Sequence, residues 1–170
     1  NNKLDISGIN EAIQKIIDRI IFLRIAEDRG TEGYGRLNQI SETPDIYKNL
    51  NELFTNANKK YNGDLFKEEE VLLNLKIDDD ILSSIISGMY YPECPYEFSV
   101  MPIETLGNIY EQFLGKTIRL TPSHLAKIEE KPEVRKAGGV YYTPKYIVDY
   151  IVEIQLVKKS KERNPRRLKR

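Results

Sequence analysis

What the chain lacks does most to bound it. It has one cysteine, Cys94, and one histidine, His124, in 170 residues. No internal disulfide is possible, which suits a reducing compartment. One thiol and one imidazole do not make a zinc site of the usual kind. No apolar run approaches the roughly 20 residues that a bilayer span needs. The N-terminus has neither the basic start nor the apolar middle of a signal peptide. The expectation is a soluble, cytoplasmic protein with no metal site and no membrane partner.

Net charge is lacking too, because 26 Lys and Arg balance 26 Asp and Glu. The balance hides a gradient. In the tail Lys158–Arg170 eight basic residues stand against the single Glu162, so the rest of the chain is acidic by the difference. An acidic body is no obvious phosphate-binding surface. A like-charged run containing proline is expected to be disordered. Nucleic-acid binding is the other use for such a tail, and it would show as steeply salt-dependent affinity.

What is present is mostly helical periodicity. Ser7 is placed to cap a helix whose apolar residues, from Ile9 through Ile16, Ile20, Leu23 and Ala26, cover most of its circumference, so it should be deeply buried. Arg24 lies three and four residues from Glu27 and Asp28 and can pair with them, which predicts a solvated, salt-bridged helix end before Gly30. A second helix is expected from about Thr43-Pro44 with Tyr47, Leu50, Leu53, Phe54 and Ala57 inward. Asp78-Asp79-Asp80 should open a third, with its acids on the first turn. Pro102 opens a fourth, along which Leu106, Ile109 and Phe113 recur, and Gly107 suggests a close helix–helix approach. Ile118–Leu120 and Val134–Lys136 read as two short strands flanking the charged arm Thr121–Glu133.

Near the end of the chain stands Gly138-Gly139-Val140-Tyr141-Tyr142-Thr143-Pro144-Lys145. Two glycines give a turn, two tyrosines follow in extended register, and Thr143 is a natural N-cap. Pro144 suits the first helical position, since its φ is preset and its missing N–H would have found no partner. Ile147, Val148, Ile151 and Ile154 continue the helix. Such a helix start combines free N–H groups with a partial positive charge, the properties of an anion site.

Three segments now fall into one order: Ile20-Ile21-Phe22-Leu23-Arg24-Ile25-Ala26-Glu27-Asp28-Arg29-Gly30, then Leu106-Gly107-Asn108-Ile109-Tyr110-Glu111-Gln112-Phe113-Leu114-Gly115, then Gly139-Val140-Tyr141-Tyr142-Thr143-Pro144. Together they resemble the helical region and first methyltransferase motif of the combined restriction–modification enzymes of type IIG. They are similar, equally, to related adenine-specific DNA methyltransferases of phage-defence systems. The resemblance implies that Tyr141, Tyr142, Thr143 and Pro144 line the pocket for the methionine end of S-adenosylmethionine, with DNA and the remainder of the methyltransferase domain as partners.

The departures are specific. The glycine-rich cofactor turn and the Asn-Pro-Pro-Tyr motif of the family are missing, and Asn164-Pro165 is followed by Arg166-Arg167. No Pro-Asp…Glu-x-Lys nuclease constellation is found, and no catalytic residue is assigned. The expected architecture is mainly α: a helical connector bundle over 1–118, an exposed charged arm over 119–137, the start of the methyltransferase domain over 138–157, and the basic tail over 158–170. The expected function is that of a fragment, inactive alone and without a bound cofactor of its own. A helical protein-interaction or DNA-contacting scaffold module is the alternative.

Overall fold

The structure, a computed structural model, describes residues 4–121, 125–132 and 143–163. It is mainly α. The described helices are α1 (Ile6–Asp28), α2 (Arg36–Ser41), α3 (Ile46–Tyr61), α4 (Glu70–Leu73), α5 (Asp79–Ser87), α6 (Ile103–Leu114) and α7 (Lys145–Arg163). A 3₁₀ turn (Asp64–Phe66) and a two-stranded antiparallel sheet of β1 (Lys116–Leu120) and β2 (Ala126–Glu130) complete the set. Contacts divide the chain into two units, one of Asn1–Met101 with Ile118–Lys127, the other of Pro102–Thr117 with Ile128–Arg170. Among the described residues no helix is long and apolar enough to cross a membrane.

In the first unit α1 is capped by Asp5, whose Oδ1 accepts the Gly8 N–H at 2.7 Å, and not by Ser7 as its sequence suggested. The helix starts two residues earlier than a Ser7 cap allows because Asp5 is the better-placed acceptor for a first-turn amide. It buries Ala12, Ile16, Ile20, Leu23 and Ala26. Gly30 then takes a left-handed φ of 71°, as a residue just past a helix end commonly must.

The spacing of Tyr47, Leu50, Phe54 and Ala57 puts one face of α3 inward, where it meets Leu37 of α2, Phe66 of the 3₁₀ turn, and Leu82 and Ile86 of α5. Phe66 is the hub of an aromatic group, its ring 5.3 Å from Phe22 and 6.1 Å from both Phe54 and Tyr61. Truncating a residue buried like Leu50 is expected to cost about 2–5 kcal/mol. Arg19 is buried as well. It ties the 3₁₀ turn to α1 by donating to the carbonyls of Leu65 at 2.8 Å and Lys67 at 2.7 Å.

The start of α3 differs from the sequence expectation. The helix begins at Ile46, two residues past Pro44, and Asp45 ahead of it is left-handed, so its own side chain caps nothing. Asp79 supplies the cap from α5, accepting the N–H groups of Asp45 at 2.9 Å and Ile46 at 3.0 Å. The Asp78–Asp80 run thus opens α5 as expected and, through Asp79, also caps the start of α3.

Ile9, Ile13 and Ile17 of α1 with Ile81 and Ile85 of α5 line an apolar groove of about 920 Å³, and Ile81 and Ile85 remain exposed. Asn10 holds β1 to α1 through both amide atoms, donating to the Ile118 carbonyl at 3.0 Å and accepting its N–H at 2.7 Å.

In the second unit Pro102 sits just ahead of α6, its carbonyl accepting from Thr105 and Leu106. Gly107 and Gly115 are buried. The hairpin is shorter than the sequence suggested. Its second strand is Ala126–Glu130, inside the segment read as the arm, where Ala, Ile and the charged residues between them alternate along an exposed edge. Val134–Lys136 lies outside the described residues. At the other end, α7 runs through Lys158 to Arg163, so the basic tail begins as helix where disorder was expected. Lys, Glu and Arg are good helix formers, basic residues suit a helix C-terminus, and the first proline comes only at Pro165.

Candidate functional site

The sequence places cofactor-contacting residues at the start of α7. Of the four, Thr143 and Pro144 are described and exposed, while Tyr141 and Tyr142 lie outside the described residues, as do Gly138, Gly139 and His124. The Pro144 carbonyl accepts the N–H groups of Ile147 at 3.0 Å and Val148 at 3.3 Å. Pro144 therefore precedes the first helical residue, Lys145, and the helix starts one position later than expected. Amides of a first helical turn have no acceptor within the helix and carry part of the helix dipole's positive end.

Lys145 is engaged. Its Nζ lies 3.0 Å from both carboxylate oxygens of Asp149, which raise its pKa by hydrogen bonding and charge, and the charge of Glu104 on α6 adds to the shift. Further along α6, Glu111 buries its Oε1 with no hydrogen-bond partner among the described residues. A buried carboxylate oxygen normally meets a donor. The start of α7 thus fits, in kind, the carboxylate at the methionine end of S-adenosylmethionine.

A second cluster, in the first unit, was read from the sequence as a solvated helix end and is the reverse. Arg24 and Glu27 are 3% exposed, and the Asp28 side chain 4%. Glu27 accepts from Gly35 N at 3.1 Å, Leu37 N at 2.8 Å and the Tyr90 hydroxyl at 2.5 Å. Arg24 pairs with Asp28 as the spacing predicts, donates to the Met89 carbonyl at 3.0 Å, and stacks over the Tyr90 ring at 4.2 Å. Asp28 also accepts the Phe98 N–H at 2.8 Å.

Apart from the Arg24–Asp28 pair within α1, each of these contacts joins separate segments of the fold. Both carboxylates are occupied by donors, so neither is free to act as acid or base. The sequence could not show this, since Tyr90, Met89 and Phe98 lie more than sixty residues from their partners. Cys94 is half-buried and unbridged beside a cavity of about 370 Å³. Among the described residues no group of three His, Cys, Asp or Glu side chains is arranged to hold a metal ion.

Over 160 residues, 94% of its length, the chain is 34% identical to the type II restriction enzyme and methyltransferase RM.Eco57I of Escherichia coli. It spans 16% of that protein. No family model matches the chain, and no solved structure matches it. A match of this length within 170 residues takes in all three segments on which the resemblance rested. The chain is thus related, over nearly all of itself, to a segment of a restriction–modification enzyme.

Proposed function

We propose, on the premise of that relationship, that this chain is the helical connector and first cofactor-contacting motif of an S-adenosylmethionine-dependent, adenine-specific DNA methyltransferase. The parent would be of type IIG or a related phage-defence system, acting on DNA in the cytoplasm. The observation that carries the reading is the 34% identity to a restriction enzyme and methyltransferase over 94% of the chain.

In this reading Thr143, Pro144 and the first amides of α7 would hold the cofactor's carboxylate, and a face of Tyr141 or Tyr142 would lie against its sulfonium cation. Bound S-adenosylmethionine supplies an electrophilic methyl group. The chain's own residues bind and orient one end of it. The pocket for a flipped adenine belongs to the missing Asn-Pro-Pro-Tyr motif, so the chain is inactive alone. Titrating S-adenosylmethionine into the isolated chain by calorimetry, with a parallel assay of labelled methyl transfer to DNA, tests this. No binding and no transfer are expected, and robust transfer overturns the reading.

The apolar groove between α1 and α5 favours a second reading, a helical interaction module without a cofactor role. The two separate on Ile81→Asp and Thr143→Ala in a longer protein carrying the segment. The module reading expects only the first to matter.

A further inference from the structure

We propose that the cavity at the end of α1 binds a nucleobase, a flat, neutral heterocycle whose edge carries a hydrogen-bond acceptor beside donors. The site lies within the first unit and stands apart from the cofactor reading.

The cavity, of about 370 Å³, is lined by Arg24, Asp28, Tyr34, Tyr91, Tyr96 and Glu97 among others. Pockets for small ligands run from about 300 to 1,000 Å³. Tyr34, Tyr91 and Tyr96 are 66%, 83% and 66% exposed. A single exposed ring needs no explanation, but three gathered on one cavity do. Among the described residues neither Tyr91 nor Tyr96 meets another ring, and none of the three hydroxyls makes a hydrogen bond. Such rings offer faces for stacking, the interaction by which proteins hold unpaired bases.

Arg24 supplies a polar edge. Buried as it is, its Nε donates to the Met89 carbonyl at 3.0 Å and one terminal nitrogen to Asp28. The other terminal nitrogen has no hydrogen-bond partner among the described residues. Among those residues only the Glu111 Oε1 is a wholly buried side-chain polar atom without a partner, so the Arg24 nitrogen still reaches water. It does so at the cavity that Arg24 lines. Buried donors normally all find acceptors, and this one is left for a ligand.

Charge then selects the ligand. Asp28 balances Arg24, and Glu97 accepts from the Ser99 hydroxyl but has no ion pair among the described residues, which leaves the cavity net negative. A phosphate or carboxylate group is repelled there, and a cation would leave the Arg24 donor without an acceptor. What remains is a neutral group that accepts from Arg24 and donates to Glu97. A guanine edge does both, with a carbonyl oxygen beside N–H donors, and its rings suit the tyrosines. The amide of an asparagine or glutamine side chain has the same pair of atoms but no ring to stack.

The test is a chemical-shift titration of the full chain, its tyrosine rings isotopically labelled. The probes are guanosine, its 5′-monophosphate, and a single-stranded and a duplex oligonucleotide of the same sequence. Guanosine is expected to shift Tyr34, Tyr91 and Tyr96 saturably and to bind more tightly than the monophosphate, with the difference shrinking in Glu97→Gln. Tyr91→Ala combined with Tyr96→Ala, both at exposed positions, should weaken binding about tenfold or more without moving the melting temperature. Single strand binding above duplex identifies the ligand as a base unpaired from DNA, and a response to guanosine alone identifies a free nucleoside. No shift at the three tyrosines with either guanosine or the single strand overturns the proposal. So do a preference for the monophosphate, unaltered affinity in the double variant, or tighter binding of a glutamine-bearing peptide.

Discussion

Tyr90 donates its hydroxyl to Glu27 at 2.5 Å across 63 residues of sequence, and the same carboxylate takes the amides of Gly35 and Leu37. One buried acid on α1 thereby fixes the approach to α2 and the end of the α5 region. Tyr90→Phe removes a hydrogen bond to a charged group, so it should lower stability by about 1.5–3 kcal/mol. Urea unfolding followed by circular dichroism reads this directly, and a loss under about 0.5 kcal/mol would show that the contact is incidental.

Asp79 caps α3 from another helix. Asp79→Ala should therefore cost about 0.5–2 kcal/mol, and Asp80→Ala, one residue on, much less. Paired thermal melts of the two variants check the difference.

Burial pushes the Tyr47 hydroxyl up to about 12, and it donates to the Leu72 carbonyl at 2.7 Å. A raised folded pKa favours the protonated form in the native state. Its contribution is complete below the ordinary tyrosine value of about 10 and is lost as pH rises from there toward the folded value. Stability measured between those limits should fall with pH, and Tyr47→Phe, though less stable at neutral pH, should fall less steeply.

Glu32 behaves in the opposite sense. Burial alone would raise its pKa, but hydrogen bonds from Lys60 at 2.7 Å and Tyr61 at 2.6 Å outweigh it and hold the carboxyl below its ordinary range. The stability this supplies is present above that range and is lost as pH falls through it. Lys60→Met should flatten the acid limb of a stability–pH profile, and an unchanged limb would count against the pairing.

The parts of the fold that depend on near neighbours were legible in the sequence. The inward face of α3, the glycine after α1 and the acids opening α5 each follow from residues within a turn or two of one another. The buried cluster at the end of α1 was not, because local spacing shows that Arg24 can meet Asp28 but not that Tyr90 and Phe98 come to cover them. The Asp5 cap was missed because Ser7 is an equally good capping residue by type. At the candidate site the helix after Thr143-Pro144 was legible from its proline and apolar spacing.

The central claim is that Tyr141–Pro144 form one wall of a cofactor site completed elsewhere in a longer methyltransferase. Calorimetric titration of S-adenosylmethionine into that enzyme, unsubstituted and carrying Tyr142→Ala with Thr143→Ala, tests it most directly. The account predicts saturable binding in the first and at least tenfold weaker binding in the second, with an unchanged melting temperature. Equal affinity in the two proteins would contradict it.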